Sequence, residues 1–389
     1  MATTTEVGVA HLVILGGGFG GLAAADRLRG QLGDEHDITL VDRRDEFFMG
    51  FAKLWDLAGT RPLADGTRSL RSLDARGVRF LQAEVREIDA EARRVTTTAG
   101  RLDADALLIA LGTSGAPTQQ AWLTGETTHD LYDAASLPAM RRDLDTITSG
   151  RVVVSVLGGP HRCPPAPYET ALIVDQRLRE RGVRGNVEVV MTTPQAATLP
   201  VAGVDASAFV ASQLAEHDIR LLTEHRVERV DAATRRVLLA DGDELGFDVL
   251  FGVCADVPPA VTAACAVADD DGWIHPDPVT LRTHVERVYA VGDCTWIPSP
   301  AGALPKAGAF AHAQGVVAAD NMLADLELGR PAAFDGHGAC FLELPGERVA
   351  MVEGDFLADP PTVTLTAPAH AHFRRKQDHE RQLLERWLG

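Results

Sequence analysis

Between an apolar stretch, His11–Leu15, and a helix-forming one, Leu22–Arg29, the chain runs Gly16-Gly-Gly-Phe-Gly-Gly21. That G-x-G-x-x-G spacing leaves few alternatives. The first glycine permits a tight turn, the second lets backbone approach a pyrophosphate, and the third lets helix pack closely on strand. Gly16, Gly18 and Gly21 hold these positions, with Phe19 and Gly20 inside the loop. Phosphates then meet the free N–H groups of the helix N-terminus. A second strand, Asp37–Val41, ends at Asp42, 21 residues beyond Gly21, with Arg43 next to it. A carboxylate there accepts from a ribose hydroxyl. Strand, glycine turn, helix and acid together predict a dinucleotide-binding βαβ unit of an α/β fold.

At 389 residues the chain exceeds one ordinary core. Strand-like segments recur at Val78–Gln82, Arg94–Thr98 and Ala106–Ala110. After Gly150 the pattern restarts: a strand at Val152–Leu157, a helix at Tyr168–Arg181 and a strand at Val187–Met191, with later strands at Leu238–Leu239 and Val249–Val253. From about Trp273 the first pattern resumes, through Val288–Asp293 and a helix at Ala309–Leu326. Strands at Ala339–Leu344, Arg348–Glu353 and Thr362–Thr366 and a charged helix close the chain. The expected architecture is two Rossmann-like dinucleotide-binding domains and a small C-terminal α+β domain. The first is discontinuous (1–115 and 275–330), the second is its insertion (116–274), and the last spans 331–389.

The net charge is −18, from 37 Lys and Arg against 55 Asp and Glu. Such a surface repels phosphate, which argues against a nucleic-acid partner. No apolar run reaches the roughly 18 residues that span a bilayer. The first residues lack a basic start, an apolar segment and a cleavage site in that order, so no secretion signal is expected. Five cysteines without C-x-x-C spacing and 13 histidines without metal spacing give no zinc site, no disulfide framework and no expected metal. They point to a cytoplasmic protein. Only three lysines occur, Lys53, Lys306 and Lys376, in a chain that otherwise uses Arg, which draws attention to each.

In the second unit the turn reads Gly158-Gly-Pro-His-Arg-Cys-Pro-Pro-Ala-Pro-Tyr-Glu169, with four prolines in eight residues. Proline has no N–H, and a phosphate cradle is built from N–H donors. The following strand ends Met191-Thr-Thr, with no acid for a ribose. NAD(P)H is therefore not expected in the usual place. The loop instead presents Cys163, beside His161 and Arg162, whose positive charge would favour the thiolate. Glu169 opens the next helix and can accept a proton.

Leu108-Ile-Ala-Leu-Gly-Thr113 and Ala290-Val-Gly-Asp-Cys294 resemble the middle and second flavin motifs of two-dinucleotide-domain flavoproteins. That implies FAD in the first domain, with Gly112, Gly292 and Asp293 among its contacts and Asp293 at the ribityl chain. With the Cys163-Pro-Pro-Ala-Pro-Tyr-Glu169 string, the chain from about residue 10 to 350 is similar to the sulfide:quinone oxidoreductase and flavocytochrome c sulfide dehydrogenase family. The proline loop is fairly specific to that group; the glycine loop is not. The resemblance implies that Cys163 pairs with Cys340, 177 residues away, near the flavin. It implies that a small inorganic sulfur or thiol substrate attacks the pair, and that two electrons pass through FAD to a quinone, or to a haem protein in the flavocytochrome branch.

Two departures narrow this. No cysteine precedes Cys163, which excludes the three-cysteine variant. Phe47-Phe-Met-Gly stands where flavocytochrome members attach FAD through cysteine, so FAD is expected to be non-covalent. Pro305-Lys306-Ala-Gly308 resembles the segment that approaches flavin and quinone, where Lys306 would stabilise negative charge. Gln314 is a further expected flavin contact. Cys254, Cys265 and Cys294 read as core, and His370-Ala-His372 as a loop. The tail, 370–389, carries five basic and three acidic residues, and Phe373, Leu383, Leu384, Trp387 and Leu388 form an apolar stripe. Such a stripe suits a membrane surface on the cytoplasmic face, as quinone access requires, or the protein's own core or a partner subunit such as a second copy. The competing readings are a type II NADH:quinone reductase, a tailoring oxidoreductase with a changed substrate, and a flavin-binding redox sensor without turnover.

Overall fold

A computed structural model describes residues 9–300 and 302–389. Residues 1–8, the first part of the N-terminal stretch read as lacking a secretion signal, lie outside them. The chain opens with β1 (His11–Leu15), α1 (Phe19–Arg29) and β2 (Asp37–Asp42), then α2 (Ala52–Ala58), β3 (Arg79–Gln82) and β4 (Ala106–Ile109). Next come β5 (Thr128–Asp130), β6 (Gly150–Val156), α3 (Ala166–Glu180), β7 (Val187–Thr192), β8 (Arg220–Leu222) and β9 (Val249–Val253). β10 (Val288–Ala290) and α4 (Gly308–Asp325) follow. β11 (His337–Leu344), β12 (Arg348–Asp355), β13 (Thr362–Leu365) and α5 (His370–Leu388) end the chain.

Two five-stranded parallel sheets form the body, ordered β10-β4-β1-β2-β3 and β5-β9-β6-β7-β8. Their central strands are buried on both faces, as continuous apolar runs such as Leu12-Val-Ile-Leu15 and Val152-Val-Val154 require. β10 returns to the first sheet after the second is complete, pairing Val288 with Leu107. Leu238–Leu239 is not part of the parallel sheet; it lies in an antiparallel hairpin sheet, as does Arg94–Thr97. A third, antiparallel sheet, β11-β12-β13, carries Cys340 opposite Val352.

The glycine turn is built as its spacing demands. Gly16 has φ +107°, and a Cβ there would fall 2.2 Å from the Ala110 carbonyl. A Cβ on Gly21 would fall 1.9 Å from the Gly16 oxygen, so only glycine lets α1 start this close to β1. The helix begins at Phe19, a turn earlier than the pattern suggested.

The terminal helix corrects one expectation. The stripe considered for a membrane surface faces inward: Phe373, Leu383, Leu384, Trp387 and Leu388 are all buried in the main core. Phe19, Phe47 and Trp387 meet edge-to-face, with centroids 5.5–6.0 Å apart. His370 and His372 begin this helix rather than lie in a loop. Among the described residues no helix is long and apolar enough to cross a membrane.

Gly21→Ala is expected to cost about 1–3 kcal/mol or more, because the new methyl forces the β1–α1 turn apart. Thermal unfolding and the flavin-to-protein absorbance ratio should both fall.

Candidate active site

Where the two parallel sheets and the C-terminal sheet meet, a cavity of about 290 Å³ opens. Its wall includes Gly18, Phe19 and Gly20 of the glycine turn, Gly112, Gly292 and Asp293, then Cys163, Glu169, Lys306 and Cys340. These come from the glycine turn, both flavin-like motifs, the proline loop, the Lys306 segment and the Cys340 strand, while Asp42, Arg43 and Gln314 lie outside the wall. Cys163 and Cys340 are both free thiols, and they face the same space.

The dinucleotide end fits FAD. Gly18 caps α1, and a Cβ built on it meets nothing within 4 Å, which leaves an open cradle at a helix N-terminus. Asp42 holds the turn in place, its carboxylate accepting from Gly17 N at 2.7 Å and Arg44 N at 2.8 Å. It retains lone pairs for a ribose, with Arg43 exposed beside it. Asp293 follows β10 in a short helical turn, and burial raises its pKa. Gln314 stands one layer behind the wall, its amide oxygen accepting from Gly292 N at 2.7 Å. It therefore shapes the Gly292-Asp293 turn rather than reaching the cavity.

Cys163 is held by its backbone. Its N–H donates to the Lys306 carbonyl at 2.8 Å, and its carbonyl accepts from Ala166 N at 3.0 Å. Tyr132 Oη donates to the carbonyls of Arg162, at 2.6 Å, and Cys163, at 3.2 Å. Cys163 has φ +50°, a left-handed conformation uncommon outside glycine and frequent at functional sites.

The electrostatic expectation for this cysteine is overturned. Burial pushes the Cys163 thiol up to about 12, with Glu169 and Cys340 adding to it. Burial likewise pushes Cys340 up to about 12. The adjacent cations do not counteract this. His161 is buried and its pKa falls to about 4, so it is neutral. The Arg162 guanidinium is paired with Asp256 and also reaches Thr113 Oγ at 3.1 Å. The cations that do favour a thiolate come from elsewhere: Lys376 and Lys53.

Lys376 lies on α5 and is fully buried. Its ammonium donates to Glu343 Oε2 at 2.6 Å and stands 4.0 Å from Glu169 Oε1. Trp55 Nε1 donates to the same Glu343 oxygen at 3.0 Å. Burial opposes the charge on Lys376, but Glu343 and Glu169 outweigh it and hold its pKa above the usual lysine value. Glu169, in the first turn of α3, accepts from Glu343 N at 2.6 Å. Burial pushes its carboxyl up to about 7 despite Lys376. A group at that pKa can take and give a proton near neutrality.

Lys306 is committed elsewhere. Its ammonium donates to the carbonyls of Asp293, at 2.8 Å, and Thr295, at 2.9 Å, and lies 3.6 Å above the Trp273 ring. It braces the Gly292-Asp293 turn from the cavity wall, with one ammonium donor left over. Cys254, Cys265 and Cys294 are buried, as expected of core. Among the described residues no group of His, Cys, Asp and Glu is arranged for a metal. Sequence reasoning gave no role to Lys53, Tyr132, Glu343 and Lys376, although the scarcity of lysine had marked two of them; Lys53 and Lys306 line the cavity, and Lys376 stands behind Glu169.

The fold and site define a flavoprotein with two Rossmann-like domains and two cysteines on the wall of one cavity. The family described as pyridine nucleotide-disulphide oxidoreductase matches residues 10–316, and the chain belongs to it; it is an FAD-dependent oxidoreductase. It is similar to the mitochondrial sulfide:quinone oxidoreductase of Mus musculus, 24% identical over 369 residues, covering 90% of this chain and 79% of that protein. It is 27% identical over 349 residues to the sulfide-quinone reductase of Aquifex aeolicus, covering 81% and 76%. The solved structure of the sulfide:quinone oxidoreductase from Aquifex aeolicus matches with a TM-score of 0.85 at 23% identity, over 96% of this chain and 90% of that one. At that identity the structural match speaks to the fold.

Lys376→Met is expected to destabilise the protein by about 3–5 kcal/mol, since it leaves Glu343 buried without its cation. Lys376→Met/Glu343→Gln should recover part of the loss. Urea unfolding of the wild type, the single and the double variant measures both.

Proposed function

We propose that this protein oxidises sulfide, or a closely related sulfur species, through Cys163 and Cys340 and passes the electrons by way of FAD to a quinone. The observation that carries the reading is the convergence of both thiols on one cavity with a buried carboxylate poised near neutrality. The names of the similar proteins support the substrate and the acceptor. Residues 1–115 and 275–330 would form the FAD domain, 116–274 the degenerate second unit and 331–389 the cover that brings Cys340. No cysteine stands near residues 47–50, so FAD would be held without a covalent link.

The reaction starts from the oxidised pair. Hydrosulfide attacks one sulfur of the Cys163–Cys340 disulfide; an S–S bond forms to the incoming sulfur and the old one breaks. The other cysteine leaves as thiolate with the electron pair, and the hydrosulfide proton passes to the Glu169 carboxylate. Lys376 and Lys53 stabilise the departing thiolate, whose burial otherwise opposes its charge. A second hydrosulfide, or an acceptor thiol, takes the outer persulfide sulfur and leaves as a di- or persulfide, which frees both cysteines as thiols. Bound FAD would supply the two-electron acceptor that restores their disulfide and passes the electrons on. Quinone access would place the protein at a membrane surface, through some face other than the inward apolar stripe of α5.

The NADH alternative finds no support in the second unit. Gln119 bridges the carboxyl ends of β6 and β9: its Nε2 donates to Leu157 O at 3.2 Å, and its Oε1 accepts from Ala255 N at 2.6 Å. That crevice is where such sheets bind dinucleotides.

The test is anaerobic bleaching of the bound flavin, with sulfide and NADH in parallel. Sulfide alone should bleach, and Cys163→Ser should slow it by at least about a hundredfold. Bleaching by NADH alone overturns the reading. The Glu169 carboxyl is protonated below about pH 7 and a competent base above it. The ratio of wild-type to Glu169→Gln rates, from which the titration of sulfide itself cancels, should therefore rise as pH passes through about 7.

A further inference from the structure

Three strong cations line the cavity: Lys53, Arg162 and Lys306. Arg162 is ion-paired to Asp256, and Lys306 is held by two carbonyls and a tryptophan face. Lys53 differs. Half-buried on α2, it makes one hydrogen bond, to the Tyr132 carbonyl at 2.8 Å, and its ammonium lies 5.2 Å from the centre of the Tyr132 ring. Among the described residues no carboxylate lies within 4.0 Å of it. An ammonium has three donors, so two are left without a protein acceptor.

The same tyrosine fixes where this charge sits. Tyr132 receives Lys53 on its backbone and clasps the Arg162 and Cys163 carbonyls with its hydroxyl. Lys53 is thereby held beside the Cys163 loop, and its charge favours the Cys163 thiolate. Desolvation, with Arg162 nearby, lowers the Lys53 pKa to about 8 in spite of Asp130 and Asp133. A desolvated cation without a paired anion gains most from an anion that arrives. The need is plain, since a surface of net charge −18 repels anions on approach.

We propose, resting on the sulfur reading above, that Lys53 is the anion receptor of this cavity: its free donors draw a small monovalent sulfur anion, hydrosulfide being the type, into the space that Cys163 shares with Cys340. The half-buried ammonium selects the charged form of the substrate over its neutral acid and over larger neutral thiols.

The probes are iodoacetate, an anion, and iodoacetamide, its neutral near-isostere. Both are applied to the reduced, FAD-loaded protein, and alkylation of Cys163 is followed by peptide mass spectrometry. The two reagents meet the same thiolate, so their rate ratio cancels its pKa and reads only the preference for an anion. Lys53→Gln keeps a donor for the Tyr132 carbonyl and should lower the iodoacetate-to-iodoacetamide ratio roughly three- to tenfold. Lys53→Arg should keep it. An unchanged ratio in Lys53→Gln overturns the proposal. If that variant fails to hold FAD, Lys53→Met, of similar length and without charge, decides: its ratio should fall likewise, and an unchanged ratio overturns the proposal equally. Failure of the sulfur reading looks different: the ratio depends on Lys53, yet sulfide leaves the flavin unbleached.

Discussion

The Lys376 ammonium has no water around it, and a buried lysine is tolerated only where carboxylates surround it closely. Here they come from two other parts of the chain, Glu343 at 2.6 Å and Glu169 at 4.0 Å. The requirement ties α5, β11 and α3 to one point. Cys340 lies three residues before Glu343, and Cys163 six before Glu169. Satisfying one cation therefore brings together two cysteines from distant segments. The pair Arg61–Glu380, with contacts of 2.5 and 2.7 Å, clamps the same helix one turn further on. Its guanidinium stacks 4.5 Å over Trp55, whose indole also reaches Glu343.

The same cluster decides which chemistry the cysteines suit. A thiol whose pKa is near 12 is a poor nucleophile at neutral pH. Chemistry that begins with Cys163 attacking an electrophile is disfavoured. Chemistry that begins with an external anion attacking an oxidised pair suffers no such penalty. The thiolate then appears only as a leaving group, at the moment when Lys376 and Lys53 are beside it. Burial, which looks like a defect for an activated cysteine, keeps such a site quiet until its substrate arrives.

Much of this was legible in the sequence, and the reason differs from part to part. The first βαβ unit was readable because its rules are local: apolar runs, glycine spacing and an acid at the strand end all lie within 32 residues, from His11 to Asp42. The proline loop was readable for the same reason, and the place of Cys340 followed from a resemblance. The charge state of Cys163 was misread because its neighbours in sequence are not its electrostatic neighbours. Arg162 turns to Asp256, His161 loses its charge to burial, and the relevant cations arrive from 110 residues upstream and 213 downstream. The stripe of α5 was visible, but periodicity gives an apolar face and not what covers it. Lys306 was singled out because its segment matched a motif, and it does line the cavity; that its ammonium also braces the neighbouring turn is something no spacing reveals.

The second unit shows how a scaffold can be kept while the loop at its crevice is rebuilt. Its five parallel strands, and the helix that follows the first βα turn, are those of a dinucleotide fold. In such a fold the N–H groups at that helix start face a phosphate. Here Pro164, Pro165 and Pro167 remove three of those donors, Gln119 bridges the crevice between the central strands, and the turn presents a sulfur atom instead. None of this disturbs the sheet, since the strands are held by their own ladder and by apolar burial. The changes fall in the loop and in the residues facing it, where the fold places few demands of its own. That separation lets the loop that faces the crevice change while the framework behind it stays.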